Sequence, residues 1–182
     1  MIKILGISGS LRAASYNTAL LRAAVPLVGP GAQLDTATLH GIPLYDGDLE
    51  QSEGTPAAVR ALKDKILASD GLLLVTPEYN NGVPGVFKNA IDWLSRPTPG
   101  LPDVFRDRPV AVIGASPGGF GTIMSQTHWL QVLRTLGTRQ WHGGRLMVSR
   151  AGSVFGTDGA VQDEKVLAQL GEFVQGFAAS LK

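Results

Sequence analysis

Apolar residues fall in two rhythms along this chain. Continuous apolar runs at residues 2–7, 71–76 and 110–115 have the form of strands buried on both faces. An alternating segment at 34–39 and a short run at 145–148 bring the predicted strands to five. Between them, residues 17–28, 55–69, 84–95, 121–136 and 160–181 predict helices, the first on apolar positions recurring at helical spacing. Thr55 stands where an N-cap would, with Pro56 at the first helical position. Residues 40–54 are turn-rich and predict a long surface loop. Pro97, Pro99 and Pro102 mark a second loop over residues 96–108.

Strand and helix alternate over residues 1–182 with no repeat and no internal linker. That rhythm predicts one α/β domain, a parallel sheet with helices on both faces. Five strands in this alternation predict a flavodoxin-like three-layer sandwich with strand order 2-1-3-4-5.

Composition removes several classes of chemistry. With 182 residues the chain can bury roughly 70% of its unfolded surface, so its core needs no covalent staples. There is no Cys, hence no disulfide, no thiolate nucleophile and no zinc–cysteine site. Three scattered His form no metal cluster, and the pair Asp46 and Asp48 reads as a solvated turn. A formal charge of +1 gives no field that would hold nucleic acid or an anionic membrane. The apolar start breaks at Gly6 with no small-residue cleavage site behind it, and no run approaches the ~18 apolar residues of a membrane span. The expected location is cytoplasmic. Glycine, with 23 residues, gathers at strand ends and turns, where an α/β protein keeps its functional loops.

Three of those strand ends carry candidate chemistry. The first strand runs into Gly9-Ser10-Leu11-Arg12-Ala13-Ala14-Ser15-Tyr16-Asn17. The spacing is neither a dinucleotide fingerprint nor a Walker A loop. It offers backbone N–H groups at a helix start, an Arg, and neutral donors on Ser10, Ser15 and Asn17, a set that suits a monophosphate. The same residues also suit an ordinary turn with Ser15 or Asn17 as N-cap. The third strand ends in Thr76-Pro77-Glu78-Tyr79-Asn80-Asn81-Gly82. Pro77 stiffens it, Asn81-Gly82 permits a left-handed turn, and Tyr79 with Pro77 offers a flat apolar wall. In the alternative, Glu78 is a solvated acid and Tyr79 packs on the next helix. The fourth strand ends in Ser116-Pro117-Gly118-Gly119-Phe120-Gly121, where glycines let a backbone approach a flat ligand closely. In the predicted strand order these three ends meet at the switch point of the sheet.

At these residues the chain resembles the NADPH-dependent FMN reductase family, in its quinone or chromate reductase branch. The resemblance rests on Gly9-Ser10-Leu11-Arg12 with Ser15 and Asn17, on Thr76-Pro77-Glu78-Tyr79-Asn80 with Pro84-Gly85 and Lys88-Asn89-Ala90-Ile91-Asp92-Trp93, and on Ser116-Pro117-Gly118-Gly119. It implies bound FMN, with its phosphate on Ser10, Arg12, Ser15 and Asn17. It places the tricyclic ring against Pro77, Glu78, Tyr79 and Asn80, with Ser116 and Gly118 facing it. Asn81 and Gly82 stand where many relatives carry a larger or hydroxylated pair. Their backbone donors are expected at the polar edge of the ring, where they bear on acceptor preference.

The resemblance also implies NADPH or NADH as donor, quinones, free flavin or other small molecules as acceptors, ping-pong kinetics, and self-association as a dimer or tetramer. No side chain need act as nucleophile or base, because the cofactor carries the chemistry. Arg96, and Tyr79 again, are candidates for contact with substrate; a solvated helix-end role for Arg96 is the alternative. His128 and Trp129 are expected in the core or an interface, His40 and His142 at the surface, and Phe87 and Trp93 in the core. A competing reading is a flavodoxin-type electron carrier that does not itself oxidise nicotinamide. Carriers usually present an acidic docking face, and a sequence pI of about 8.1 does not provide one. A signalling receiver would need acids at the end of the first strand, where Gly6 and Ser8 stand.

Overall fold

The computed structural model describes residues 1–182. Six strands form the sheet: β1 (Ile2–Ser8), β2 (Ala32–Ala37), β3 (Gly71–Val75), β4 (Pro109–Ala115), β5 (Arg139–Gln140) and β6 (Met147–Val148). The spatial order is β2-β1-β3-β4-β5, with β6 also paired to β4, and all pairs are parallel. The predicted order holds, with one correction. The edge position is shared by two short strands: β5 pairs with the start of β4 (Pro109↔Arg139) and β6 with its end (Gly114↔Met147). Between them residues 142–145 make no backbone bond to β4, and Trp141 packs edge-on to Phe173 with centroids 4.9 Å apart.

The helices are α1 (Tyr16–Ala24), α2 (Gly47–Glu53), α3 (Ala57–Leu67), α4 (Gly85–Ser95), α5 (Ile123–Thr135) and α6 (Glu164–Ala179). In β3, side chains alternate between two cores, as the period of a strand requires. Leu73 and Val75 join Leu20, Leu21, Phe173 and Phe177 beneath α1 and α6. Leu72 and Leu74 join Val59, Ile66, Phe87, Trp93 and Trp129 beneath α3, α4 and α5. The result is three layers.

Two local expectations are corrected. Residues 40–54 are not all loop, since α2 lies within them. Asp46 caps it by accepting from the Asp48 N–H at 2.9 Å, and Asp48 and Glu50 sit in its first turn, where carboxylates favour the dipole. Thr55 does not cap α3: Pro56 occupies the N-cap position without a side-chain hydrogen bond, and Thr55 Oγ1 meets Thr98 Oγ1 at 3.1 Å. No helix is long and apolar enough to cross a membrane.

Candidate functional site

Because β1, β3 and β4 are neighbours, the loops that follow them share one end of the sheet. They are tied together by hydrogen bonds and close packing. Asn17, buried at the start of α1, clasps the end of β4: its Nδ2 donates to the Ala115 carbonyl and its Oδ1 accepts from the Ala115 N–H, both at 2.8 Å. Glu78, from the loop after β3, accepts from the N–H groups of Met124 and Ser125 at 2.9 and 3.0 Å. It thereby caps α5, whose own N-cap residue Thr122 makes no capping bond, its Oγ1 accepting instead from Gln126 Nε2 at 2.9 Å. Thr76 Oγ1 lies 3.0 Å from both Ser125 Oγ and Trp129 Nε1. Gly9 lets Phe87 close against the first loop, since a Cβ there would fall 2.2 Å from the Phe87 ring.

The first loop is built around open donors. Ser15 is the N-cap of α1, accepting from the Thr18 N–H at 3.3 Å. The N–H groups of Leu11, Ala13, Ala14, Ser15, Tyr16 and Asn17 find no acceptor within the protein, and the Arg12 N–H reaches only Ser10 Oγ at 3.3 Å. The first turn of α1 carries no acid. Arg12 is exposed and its guanidinium makes no ion pair. A cluster of unpartnered amides at the positive end of a helix, with a free guanidinium beside it, is a cradle for an anion. Asn17 stands slightly apart from the other candidates here, because the clasp on Ala115 engages one Nδ2 hydrogen and the Oδ1.

The second loop is a tight hairpin. Asn80 and Asn81 both have left-handed backbones, with φ of 49° and 58°, and Tyr79 and Gly82 bond each other across them at 3.2 and 3.0 Å. This is a two-residue turn of the primed kind, which demands positive φ at both corners. The expected left-handed pair is therefore shifted by one residue, from Asn81-Gly82 to Asn80-Asn81. The shift matters for donors: the Gly82 N–H is occupied by Tyr79, whereas the N–H groups of Asn80 and Asn81 have no partner. Tyr79 is half exposed and Pro77 is buried. The Glu78 carboxylate serves the helix cap.

The third loop is fixed from behind. The Ser116 N–H donates to the Val148 carbonyl at 2.9 Å, the Ala151 N–H to the Ser116 carbonyl at 3.1 Å, and the Arg150 N–H to the Gly118 carbonyl at 3.0 Å. Ser116 Oγ accepts from the Gly118 N–H at 3.2 Å. A Cβ on Gly119 would meet nothing within 4 Å, and on Gly118 only Ser116 Oγ at 3.5 Å, so a ligand can lie close on this backbone. Phe120, beside it, is 85% exposed. The supporting segment 148–151 was not singled out from sequence. Its one unusual feature, the left-handed Arg150 with φ of 49°, has no signature in residue type.

Arg96 is not brought to this cleft. It follows the last residue of α4, while the hairpin precedes the first, and eleven helical residues put about 16 Å between them. Arg96 Nε donates to Glu50 at 3.0 Å, and its guanidinium lies 5.7 Å from the centre of the Tyr45 ring. The Tyr45 hydroxyl donates to the same carboxylate at 3.0 Å. The bond to Glu50 and partial desolvation push the Tyr45 pKa up, and the same Glu50 raises that of Arg96. Beneath them Lys63 is buried, and its Nζ donates to the Arg96 carbonyl at 2.5 Å and to Thr98 Oγ1 at 2.7 Å. Burial pulls the Lys63 pKa down. Arg108, which donates to the Ser69 carbonyl, is lowered for the same reason.

Phe87, Trp93 and Trp129 are core residues, each with no exposed surface, while His40 and His142 are exposed. Of the two places expected for His128, core or interface, the core is excluded. His128 is exposed, and its Nδ1 lies 3.8 Å from where a Gly82 Cβ would stand, behind the hairpin.

Comparison with known proteins agrees with this geometry. The chain is 46% identical over 164 residues to an NAD(P)H-dependent FMN reductase of Pseudomonas aeruginosa, covering 90% of this chain and 86% of that one. It is 35% identical to a 2-hydroxy-1,4-benzoquinone reductase of a Burkholderia species, covering 98% and 95%. Among solved structures, the flavoenzyme NAD(P)H:(acceptor) oxidoreductase FerB of Paracoccus denitrificans superposes with a TM-score of 0.84 at 34% identity, over 100% of this chain and 97% of that one. Residues 2–153, which hold all three loops, match the family described as NADPH-dependent FMN reductase, and the chain belongs to that family.

Proposed function

We propose that this chain is an FMN-containing oxidoreductase that takes electrons from NADPH or NADH and passes them to quinones, free flavin or other small acceptors. The observation that carries the reading is the set of unpartnered N–H groups over residues 11–17 beside Arg12. These residues fit a phosphate monoester. The amides supply donors, Ser10 and Ser15 add hydroxyls, Arg12 adds charge, and the first turn of α1 carries no acid. The ring would lie between the 79–82 hairpin and the 116–119 backbone, against Tyr79.

When bound, FMN supplies hydride acceptance and electron delivery, chemistry that no side chain here provides. The residues' part is to hold and to polarise. The free N–H groups of Asn80 and Asn81 are placed to stabilise negative charge at the ring's polar edge, and being fixed in a closed hairpin they need no reorganisation to do so. Glu78 and Asn17 keep the two flanking loops in register. The cleft is open, so donor and acceptor take turns at one face, which gives ping-pong kinetics. Exposed Phe120, Met124 and Leu130 around α5 support the expected self-association as a dimer or tetramer.

The test is anaerobic. Purified protein supplied with FMN should turn yellow and bleach on addition of NADPH or NADH, then regain colour with benzoquinone. Protein that holds FMN but is not bleached without a partner reductase would be an electron carrier instead.

A further inference from the structure

A second concavity begins where the first loop ends. A groove of about 850 Å³ runs down the outer side of α1, and its first wall includes Arg12 and Ser15. The opposite wall is the turn between Phe155 and Val161, which bridge each other. The turn approaches α1 closely: a Cβ on Gly159 would lie 3.8 Å from that of Ala19. Tyr16 and Phe155 close the floor near the mouth, with ring centroids 5.3 Å apart. None of residues 77–82 or 116–120 lines this groove, so it is separate from the cleft described above and shares only its mouth.

Its polar groups are few and specific. Arg22 lies on the wall in the last turn of α1, about 10 Å along the axis from Ser15. It has no acidic partner; the ion pairs of the molecule are Lys88–Asp92, Arg96–Glu50 and Arg106–Asp103. Across from it, Asp158 accepts from the Ala160 N–H through Oδ1 at 3.0 Å, and its other oxygen has no partner. A free guanidinium, a free carboxylate oxygen and an apolar floor of Tyr16, Ala19 and Phe155 form one set.

We propose that this groove receives the adenosine end of the nicotinamide donor, with Arg22 on the ribose 2′-phosphate. The inference rests on the function proposed above and adds to it a place for the half of the donor that does not react. On other folds a carboxylate that accepts from the ribose 2′-hydroxyl suits NAD, whereas an arginine takes the 2′-phosphate of NADP. Here Arg22 takes the 2′-phosphate and makes the chain favour NADPH over NADH, the floor takes the adenine face, and Asp158 accepts from the 3′-hydroxyl that NADPH leaves free. The mouth at Arg12 leaves the donor's other end beside the first loop, on the side of the open cleft.

The test uses adenosine 2′,5′-bisphosphate, which has no nicotinamide and cannot be oxidised or reduced. Calorimetric titration of the FMN-loaded protein should show it binding about tenfold more tightly than 5′-AMP, the size of one exposed charge-assisted contact. In Arg22→Ala that preference should vanish, in Arg22→Lys it should return in part, and Ala19→Trp should block both nucleotides by filling the groove. The ratio of KM for NADPH to KM for NADH should rise about tenfold in Arg22→Ala. Equal binding of the two nucleotides by the wild type, or an unchanged preference in Arg22→Ala, would overturn the proposal. The two readings fail separately. NADPH oxidation indifferent to Arg22 refutes the groove and keeps the function. Bisphosphate binding lost in Arg22→Ala, in a protein that never oxidises NADPH, does the reverse.

Discussion

Two regions of this molecule present arginine near polar loops, and they differ in what their donors already do. At the end of α4, Arg96, Glu50, Tyr45, Lys63 and Thr98 bond one another, and the buried Lys63 Nζ finds two acceptors. In the first loop the N–H groups of Leu11 and of residues 13–17 have no acceptor in the protein. The first region has more charge and holds three of the four perturbed pKa values, those of Tyr45, Lys63 and Arg96, yet its groups hold each other. Perturbed ionisation marks functional sites only in part, because structural networks produce it too. Open donors on a rigid frame are the better guide here.

The sharpest way to break the comparison is Asn17→Ala. Asn17 belongs to the frame of the open region, and its loss strands the Ala115 N–H and carbonyl in the interior. Thermal unfolding should show a loss of about 3 kcal/mol, a Tm drop of roughly 6–12 °C, with FMN affinity falling alongside. A normal Tm would mean that the clasp is not structural.

Lys63→Met tests the closed region. It removes the donor to the Arg96 carbonyl and should cost about 1–2 kcal/mol at neutral pH without changing FMN affinity. The pH dependence has a definite sign. Burial lowers the Lys63 pKa from its ordinary 10.5, so the folded state penalises the charged form. That penalty is present below the folded pKa and disappears as pH rises from there to 10.5. The stability advantage of wild type over Lys63→Met should therefore grow between pH 7 and pH 10, measured by chemical denaturation. A difference that shrinks over this range would contradict the assigned burial.

Smaller effects separate frame from ornament. Glu78→Ala removes the borrowed cap of α5 and should cost about 1 kcal/mol in denaturant unfolding, with a modest loss of FMN through the loosened hairpin. Arg96→Ala breaks an exposed pair and should leave stability nearly unchanged, the more so in 0.5 M salt. It should leave the KM for NADPH where it was; a severalfold rise would restore Arg96 as a substrate contact.

The sequence showed the frame where the frame is periodic. β1, β3 and β4 are unbroken apolar runs, and the order of their strands followed from alternation alone. β5 was not legible because two residues, Arg139 and Gln140, carry no periodicity and are strands only through β4. α2 was hidden because its residues, Gly47-Asp48-Leu49-Glu50-Gln51-Ser52-Glu53, present no apolar stripe; a cap and acidic first turn hold it. The hairpin was misplaced by one residue because Asn-Gly is the usual turn signal, whereas pairing of Tyr79 with Gly82 puts two asparagines at the corners, a conformation asparagine tolerates. The residues of the three loops were visible as types. Which of their donors are free was not, since that depends on partners far along the chain, such as Ala115 for Asn17 and Met124 for Glu78.

The most direct measurement compares FMN with riboflavin, which lacks only the phosphate, by fluorescence titration of flavin-free protein and of Arg12→Ala. If the amides of residues 11–17 and Arg12 form the phosphate cradle, FMN should bind wild type at least a hundredfold more tightly than riboflavin. Arg12→Ala should give up about tenfold of that difference at unchanged Tm. Equal affinity for the two flavins in wild type would contradict the account.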